Sequence, residues 1–452
     1  MKKKELKEST SGVRGVIGNG LDPILVARYA AAFGTMLKSG TVVLGRDSRK
    51  TGPMVRDAVV SSLLAVGIDV VDIGVVPTPT VEIAVKELKA RGGMCITASH
   101  NPAQWNALKF FSDRGDFVTP AQFDKLKAAK DANSFAFKPH TALGKLSYND
   151  RFIDIHIQKV LALKVVNRPA IKKARFTVVV DAINGAGSHA LPELLHRLGA
   201  RVIRLNCDGN GEFVHEPEPI PENLGPLAAA VRKHKADLGM ACDPDADRLA
   251  LVDHTGCPIG EELTLAIAVR HVLRKEKGPT VINLSTSNVT AEAARKSGSR
   301  VYLSKVGEAN VVELMRRKKA VIGGEGNGGV IYPRFHAGRD SLIAAALTLS
   351  ELATEKKTLA DLVESFGRYY TMKTKAAMPD DFDSRLARLE REVPALLGNT
   401  TVDRQDGLRF DFADGWVQVR SSNTEPIYRL IIETNDERLT ARLGTKVKSF
   451  FR

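Results

Sequence analysis

Three aspartates stand at alternate positions in Asp243-Pro-Asp-Ala-Asp-Arg248. Carboxylates this close repel one another unless a cation neutralises them, and hard oxygen ligands select Mg2+ or Ca2+. The spacing resembles the opening of an EF-hand loop. Its sixth position, however, is Arg248 where glycine is required, and its twelfth is His254 where glutamate is required. An Asp-x-Asp phosphatase loop with an aspartyl nucleophile is a second rival; the third aspartate and the adjacent arginine fit metal binding better. A second cluster is Thr97-Ala-Ser-His-Asn-Pro102, where His100 follows Ser99. No Gly-x-Ser-x-Gly elbow accompanies it, which disfavours a Ser-His-Asp hydrolase. A serine that faces three aspartates makes sense if it carries phosphate, because phosphoserine and carboxylates can share one Mg2+. The stretch Gly323–Gly329 sets Glu325 and Asn327 among five glycines. Glycine lets backbone approach a ligand closely, and Glu and Asn exchange hydrogen bonds with sugar hydroxyls. Lastly, Arg420, Ser422, Asn423 and Thr424 offer a guanidinium fork, hydroxyls and an amide, a set suited to a terminal phosphate. Taken singly, each loop could be an ordinary turn.

The elements that must hold these loops alternate between short β-branched runs and amphipathic helical patterns. Strands are expected at Thr41–Leu44, Val70–Ile73 and Met94–Thr97, with helices near 53–66 and 80–91. The rhythm restarts at Phe176–Asp181, with a helix near 188–198 and strands at 200–205 and 238–241, and again at 280–284, with strands near 301–303 and 320–322. This grammar predicts three α/β/α units with largely parallel sheets covered by helices on both faces. After about Tyr369 it changes. A helix over 383–393, which Pro394 should stop, precedes strands at 407–412, 416–419 and 428–433, the pattern of an α+β unit. The expected division is 1–145, 146–257, 258–368 and 369–452. Ligands of open α/β sheets bind beyond the carboxyl ends of strands, and every unit carries one of the polar loops at such an end. Four loops on four units imply one shared cleft.

Composition narrows the class. A 452-residue chain with 43% hydrophobic and 26% charged residues is ordinary globular material divided into several domains. No apolar run reaches the ~18–20 residues of a membrane span, and the Lys-rich start has no apolar segment of a secretory signal behind it. Four scattered cysteines have no metal-type spacing and suit a reducing compartment, so a cytoplasmic protein without a membrane partner is expected. Sixty-six Lys and Arg against fifty-two Asp and Glu leave +14. The basic residues are dispersed over helix faces and only seven Tyr and two Trp could stack bases, so no nucleic-acid partner is expected.

In this order and spacing the four loops resemble the α-D-phosphohexomutase superfamily, whose patterns are T-A-S-H-N-P, D-x-D-x-D-R, G-E-x-S-G-H and R-x-S-G/N-T-E-P. Ser11-Gly-Val-Arg-Gly15, Gly45-Arg-Asp-Ser-Arg49, Asn106-Ala-Leu-Lys109 and Asp181-Ala-Ile-Asn-Gly185 extend the resemblance over nearly the whole chain. It implies a four-domain enzyme with a TATA-binding-protein-like last domain, moving phosphate between O6 and O1 of a hexose. Ser99 would be the phosphoserine; Asp243, Asp245 and Asp247 would hold Mg2+ together with its phosphate. Arg14, Lys109 and Arg248 would balance charge around the transferring group, with His100 beside it. Glu325, next to Asn327, would grip the sugar, and Arg420, Ser422, Asn423 and Thr424 would clamp the other phosphate. A hexose 1,6-bisphosphate would be intermediate and activator, and the partner a small phosphosugar bound by a monomer or homodimer. Glucosamine phosphate is the leading substrate, mannose and glucose phosphates the alternatives, and a non-catalytic phosphosugar-binding protein the rival of another class. The chain departs from the pattern at Asn327-Gly-Gly329, where the family histidine is missing. His100 or His336 is the candidate to compensate.

Overall fold

The computed structural model describes residues 5–422 and 427–451. Its strands gather into four sheets. In the first, Asp69–Val75, Thr41–Arg46 and Gly92–Ile96 lie parallel in that order, and Gly92–Ile96 pairs antiparallel with Trp105–Phe111. Gly12–Ile17 and Leu6–Ser9 extend this antiparallel edge. The second sheet repeats the arrangement with Arg201–Leu205, Thr177–Asp181 and Leu238–Cys242 parallel and Leu249–Asp253 antiparallel. The third repeats it once more with Val301–Ser304, Thr280–Asn283, Ile322–Glu325 and the reversed Gly329–Ile331. The fourth sheet is antiparallel throughout, in the order Tyr370–Ala377, Ile427–Thr434, Gly415–Ser421, Leu408–Phe412, Thr401–Asp403. Three mixed α/β sheets and a terminal α+β unit are therefore present.

This topology settles where the loops sit. In the first three sheets each is the turn between two antiparallel strands, 97–104, 243–248 and 326–328 in order, and in the fourth Arg420 and Ser422 stand at the end of Gly415–Ser421, which pairs antiparallel with Ile427–Thr434. In the first three sheets the strand entering the turn is buried along its whole length. The strand leaving it is buried throughout in the second and third sheets, and in the first all but Trp105 is buried. The loop ends are thus fixed by packing on both sides. Trp105–Phe111 shows why sequence pattern under-reads this arrangement. Its Asn106 and Lys109 are buried among apolar neighbours, so no in–out alternation marks the strand.

Two expectations shift. The strand expected at 320–322 is Ile322–Glu325, because the N–H of Ala320 still bonds to the carbonyl of Met315 and closes the preceding helix Glu308–Lys318. Pro394 does not stop its helix, which runs from Phe382 to Leu397. A proline near the C-terminus removes one amide donor; Leu389 and Val393 anchor the helix in the core of the terminal unit, and Leu397 packs against that core one turn on. The helix Ser341–Glu355 is buried from Ser341 to Leu352 and so has no polar face to announce it. With Glu261–Lys275 it joins the second and third units in one continuous hydrophobic core, whereas the fourth has a core of its own.

Candidate active site

Ser99 is buried with its backbone in the left-handed region, at φ 51°. For a residue with a Cβ this costs ~1–2 kcal/mol, so the surroundings must hold it. Its N–H donates to Thr97 Oγ1 at 2.9 Å, and Arg49 holds the rest. The buried Arg49 guanidinium donates to the carbonyls of Pro102 at 2.8 Å, Trp105 at 3.0 Å, and both Ser99 and Asn101 at 2.6 Å. Its Nε donates to Asp47 at 3.0 Å, and the Phe213 ring lies 4.9 Å from its carbon. One side chain thus takes up four main-chain acceptors of the loop. The sequence offered only a Gly-Arg-Asp-Ser-Arg motif as a hint of it.

The structure brings the serine and the aspartates together. Ser99 Oγ donates to Asp243 Oδ2 at 2.9 Å, and one carboxylate oxygen from each of Asp243, Asp245 and Asp247 lies within 4.8 Å of the others. Asp243 Oδ1 accepts the N–H groups of Asp247 and Arg248, at 3.1 and 3.2 Å. Asp245 Oδ2 accepts from Lys109 Nζ and Thr78 Oγ1, both at 2.6 Å. Asp247 Oδ2 accepts from Arg339 at 2.6 Å, with Lys109 3.6 Å away. Asp245 Oδ1 and Asp247 Oδ1 are buried without a hydrogen-bond partner. Orphaned acceptors of this kind are costly unless something satisfies them, and a small divalent cation fits the set.

Electrostatics point the same way. Burial, then repulsion from Asp247 and Asp245, pushes the Asp243 carboxyl well above its ordinary range. Burial opposes ionisation of Asp245 too, but the Lys109 ammonium overrides it and holds that carboxyl below its usual range. Lys109 answers in kind: burial works against its charge, Asp245 and Asp247 outweigh that, and it is held above its usual range. Arg14 reaches Asn101 Oδ1 at 3.3 Å, and Arg248 lies 3.4 Å from Glu218 and 3.7 Å from Asp247. Burial, followed by the charges of Arg248 and Arg14, drives His100 well below its ordinary pKa. Its Nδ1 is 3.3 Å from Ser99 Oγ, so a neutral imidazole stands beside the hydroxyl.

Glu325 is tied on three sides. Oε1 accepts from Asn283 Nδ2 at 2.8 Å and from the Gly307 N–H at 2.9 Å, and Oε2 accepts from Arg339 at 2.8 Å. Arg339 therefore bridges the third loop to the aspartate loop, a role that no motif had assigned to it. Asn327 Oδ1 accepts the Gly329 N–H at 3.2 Å and shapes the turn. His336 does not replace the missing histidine. It is buried between Glu82 at 3.1 Å and Asp340 at 3.1 Å. Asp340 also meets His156 at 2.9 Å, so with Glu82 from the first unit and His156 from the second the network ties all three α/β units.

On the fourth unit, Arg420 is buried and its Nε has no hydrogen-bond partner. Burial lowers its pKa against the pull of Asp406. Ser422 donates its N–H to the Ile427 carbonyl at 2.9 Å. Asn423 and Thr424 lie outside the described residues. The unit docks on the third through Ser285–Gln418 at 2.6 Å, Asn288 N–H to Glu433 at 2.7 Å and Val306 N–H to Asp406 at 3.0 Å. Two cavities of about 750 and 830 Å3 lie on other seams, and none of their lining residues belongs to the four loops. Lys86, Arg316, Lys173 and Arg232, among their cations, sit in last helical turns, where they answer the negative end of the helix dipole.

Comparison with known proteins matches this geometry. Models of the phosphoglucomutase/phosphomannomutase family match the chain in four successive pieces. These are α/β/α domain I at residues 5–137, domain II at 154–256, domain III at 261–369 and the C-terminal domain at 374–448. A protein of Thermococcus kodakarensis named "Phosphoglucomutase/phosphomannomutase" is 36% identical over 435 residues, 95% of this chain and 94% of that one. One of Methanopyrus kandleri named "Probable phosphoglucosamine mutase" is 36% identical over 431 residues, with the same coverage. The crystal structure of a Burkholderia thailandensis phosphoglucomutase/phosphomannomutase family protein superposes with a TM-score of 0.86 at 27% identity, covering 98% of this chain and 97% of that one. With a serine, three aspartates and their arginine and lysine partners brought together at one site, and with family matches along nearly its whole length, this chain belongs to the phosphoglucomutase/phosphomannomutase family of phosphohexomutases.

Proposed function

We propose that this enzyme interconverts hexose 6-phosphate and hexose 1-phosphate through a phosphoserine at Ser99 and a bisphosphorylated sugar, and that glucosamine phosphate is its preferred substrate. The observation that carries the reading is the pairing, across two units, of Ser99 Oγ with Asp243 at 2.9 Å beside two unpartnered carboxylate oxygens. Several relatives at 34–36% identity bear phosphoglucosamine mutase names, which favours that sugar. The Thermococcus relative named for glucose and mannose phosphates keeps those as the second reading.

Asp243, Asp245 and Asp247 would hold Mg2+ with the serine phosphate. Such an ion would draw charge from the phosphoryl oxygens as they redistribute it. In the forward half-reaction a sugar hydroxyl oxygen attacks phosphorus, its bond to Ser99 Oγ breaks, and the serine is left with the proton the sugar gives up. In the return half-reaction Ser99 Oγ attacks the other phosphate, the bond from that phosphorus to the sugar oxygen breaks, and the hydroxyl proton passes by way of His100 Nδ1, neutral and 3.3 Å away, to the departing sugar oxygen. Lys109, Arg14 and Arg248 surround the transfer with fixed positive charge. Arg420 and the loop that follows would anchor the idle phosphate while the bisphosphate turns end for end.

Intact-mass and peptide mapping should find a phosphate-sized increment on Ser99. A coupled assay with each hexose 1-phosphate and catalytic glucose 1,6-bisphosphate should show turnover that Ser99→Ala lowers by at least ~1000-fold. Turnover in none of the three sugars would remove the proposal; a preference for mannose or glucose phosphate would remove only its substrate.

A further inference from the structure

Gly329 stands where the family pattern carries histidine, and its backbone does not need glycine. It begins the strand Gly329–Ile331, pairs with Glu325, and is absent from the positive-φ positions. What excludes a side chain is space. A Cβ built on Gly329 would lie 2.2 Å from Cδ and 2.9 Å from Cγ of Arg339, and 3.0 Å from Asn327 Oδ1. The Arg339 stem runs through the volume that a residue at 329 would fill. Its head then donates to Asp247 at 2.6 Å and Glu325 at 2.8 Å, and Glu308 lies 3.2 Å from its Nε.

We infer that Arg339 and Gly329 form one exchangeable unit, in which a cationic side chain from 339 takes the place of an imidazole from 329 and positions Asp247 and Glu325 for the reaction. The inference rests on the phosphohexomutase reading for its kinetic half only. Arg339 acts through its two carboxylates and is a positioning residue. A planar fork can hold two separate acids at fixed angles, which a lysine ammonium on a flexible stem does less well. Glu308, also buried here, donates nothing and instead accepts the Arg339 N–H at 2.8 Å, which fixes the backbone from which the side chain springs. The pairing also explains the sequence. A chain that keeps arginine at 339 must keep glycine at 329, and one with a side chain at 329 must vacate 339.

The test is a pair of double-mutant cycles on the full chain. In the alanine cycle, Gly329→Ala should lower the melting midpoint in the Arg339 background but leave it little changed in an Arg339→Ala background, where the crowding atoms are gone. In the histidine cycle, Arg339→Ala should lower kcat about 100-fold and raise the Mg2+ concentration for half-maximal rate about tenfold, because Asp247 loses its partner. Gly329→His should fail alone, and Gly329→His with Arg339→Ala should recover on the order of tenfold in kcat over Arg339→Ala. Arg339→Lys should retain affinity for sugar better than it retains kcat. Wild-type stability in Gly329→Ala, or a double variant no better than Arg339→Ala, would overturn the exchange. Lack of turnover by the wild type would strike the functional proposal while leaving the melting cycle decisive for this one.

Discussion

Replacing Arg49 by lysine isolates the price of a loosened serine loop. In the native protein one guanidinium serves four carbonyls and Asp47. An ammonium has three donors. One must stay with Asp47, whose burial already raises its pKa against the pull of Arg49, and at most two carbonyls can be reached. At least two charge-assisted bonds are lost, at ~1.5 kcal/mol each about 3 kcal/mol. Set beside the ~1–2 kcal/mol of strain in the left-handed backbone of Ser99, that loss removes about half of what holds the loop and lets relaxed conformations gain up to ~3 kcal/mol on the productive one. With one decade of rate per 1.36 kcal/mol, kcat should fall up to ~100-fold. KM should change little, because no substrate contact is touched. A coupled steady-state assay separates the two constants, and a melting curve checks that the variant is folded. A folded Arg49→Lys with kcat within about threefold of wild type would refute the claim that this side chain sets the serine geometry.

Asp243→Asn keeps the acceptor at Oδ1 and removes one of three crowded charges. It should raise the metal-free melting midpoint by the equivalent of ~1–2 kcal/mol while abolishing turnover. Adding Mg2+ should raise the midpoint of the wild type by binding linkage, and this increment should vanish in Asp243→Asn; an equal increment in both would place the ion elsewhere. His336 is raised to about 9: burial opposes its charge, but Asp340 and Glu82 outweigh burial. A group raised above its unfolded ~6.5 lends stability that is full below pH 6.5 and lost as pH climbs through about 9, at most ~3 kcal/mol here. Differential scanning calorimetry from pH 6 to 9.5 should show this decline, much reduced in His336→Gln. Finally, scattering with and without bisphosphorylated sugar should reveal rotation of the terminal unit about the connection near residue 368; identical curves would argue against a hinge there.

The chemistry was more legible in sequence than the architecture that serves it. Ser99, the aspartate loop and Glu325 stand out because their residue types are improbable as plain turns, and the α/β rhythm is clear wherever helices keep a polar face. Trp105–Phe111 and Ser341–Glu355 carry no such rhythm, because both are buried on nearly all sides. Arg49 and Arg339 were missed for another reason. Their roles depend on partners 50 to 56 and 92 residues away, and an arginine whose partners are carbonyls leaves no pattern in side-chain types. His336 drew attention by its type, but its neighbours make it a strut.

Main-chain bonds tie the first three units to one another: Thr78 N–H to the Asp245 carbonyl at 2.9 Å, Leu249 N–H to Gly328 at 3.1 Å, Ser341 N–H to Ala246 at 3.3 Å. Among the described residues, no bond of this kind joins the fourth unit to the others; its links run through side chains. A unit held by side chains alone is the one expected to give when the substrate needs room. Solvent viscosity should drag on the step in which the sugar flips and leave the chemical steps untouched.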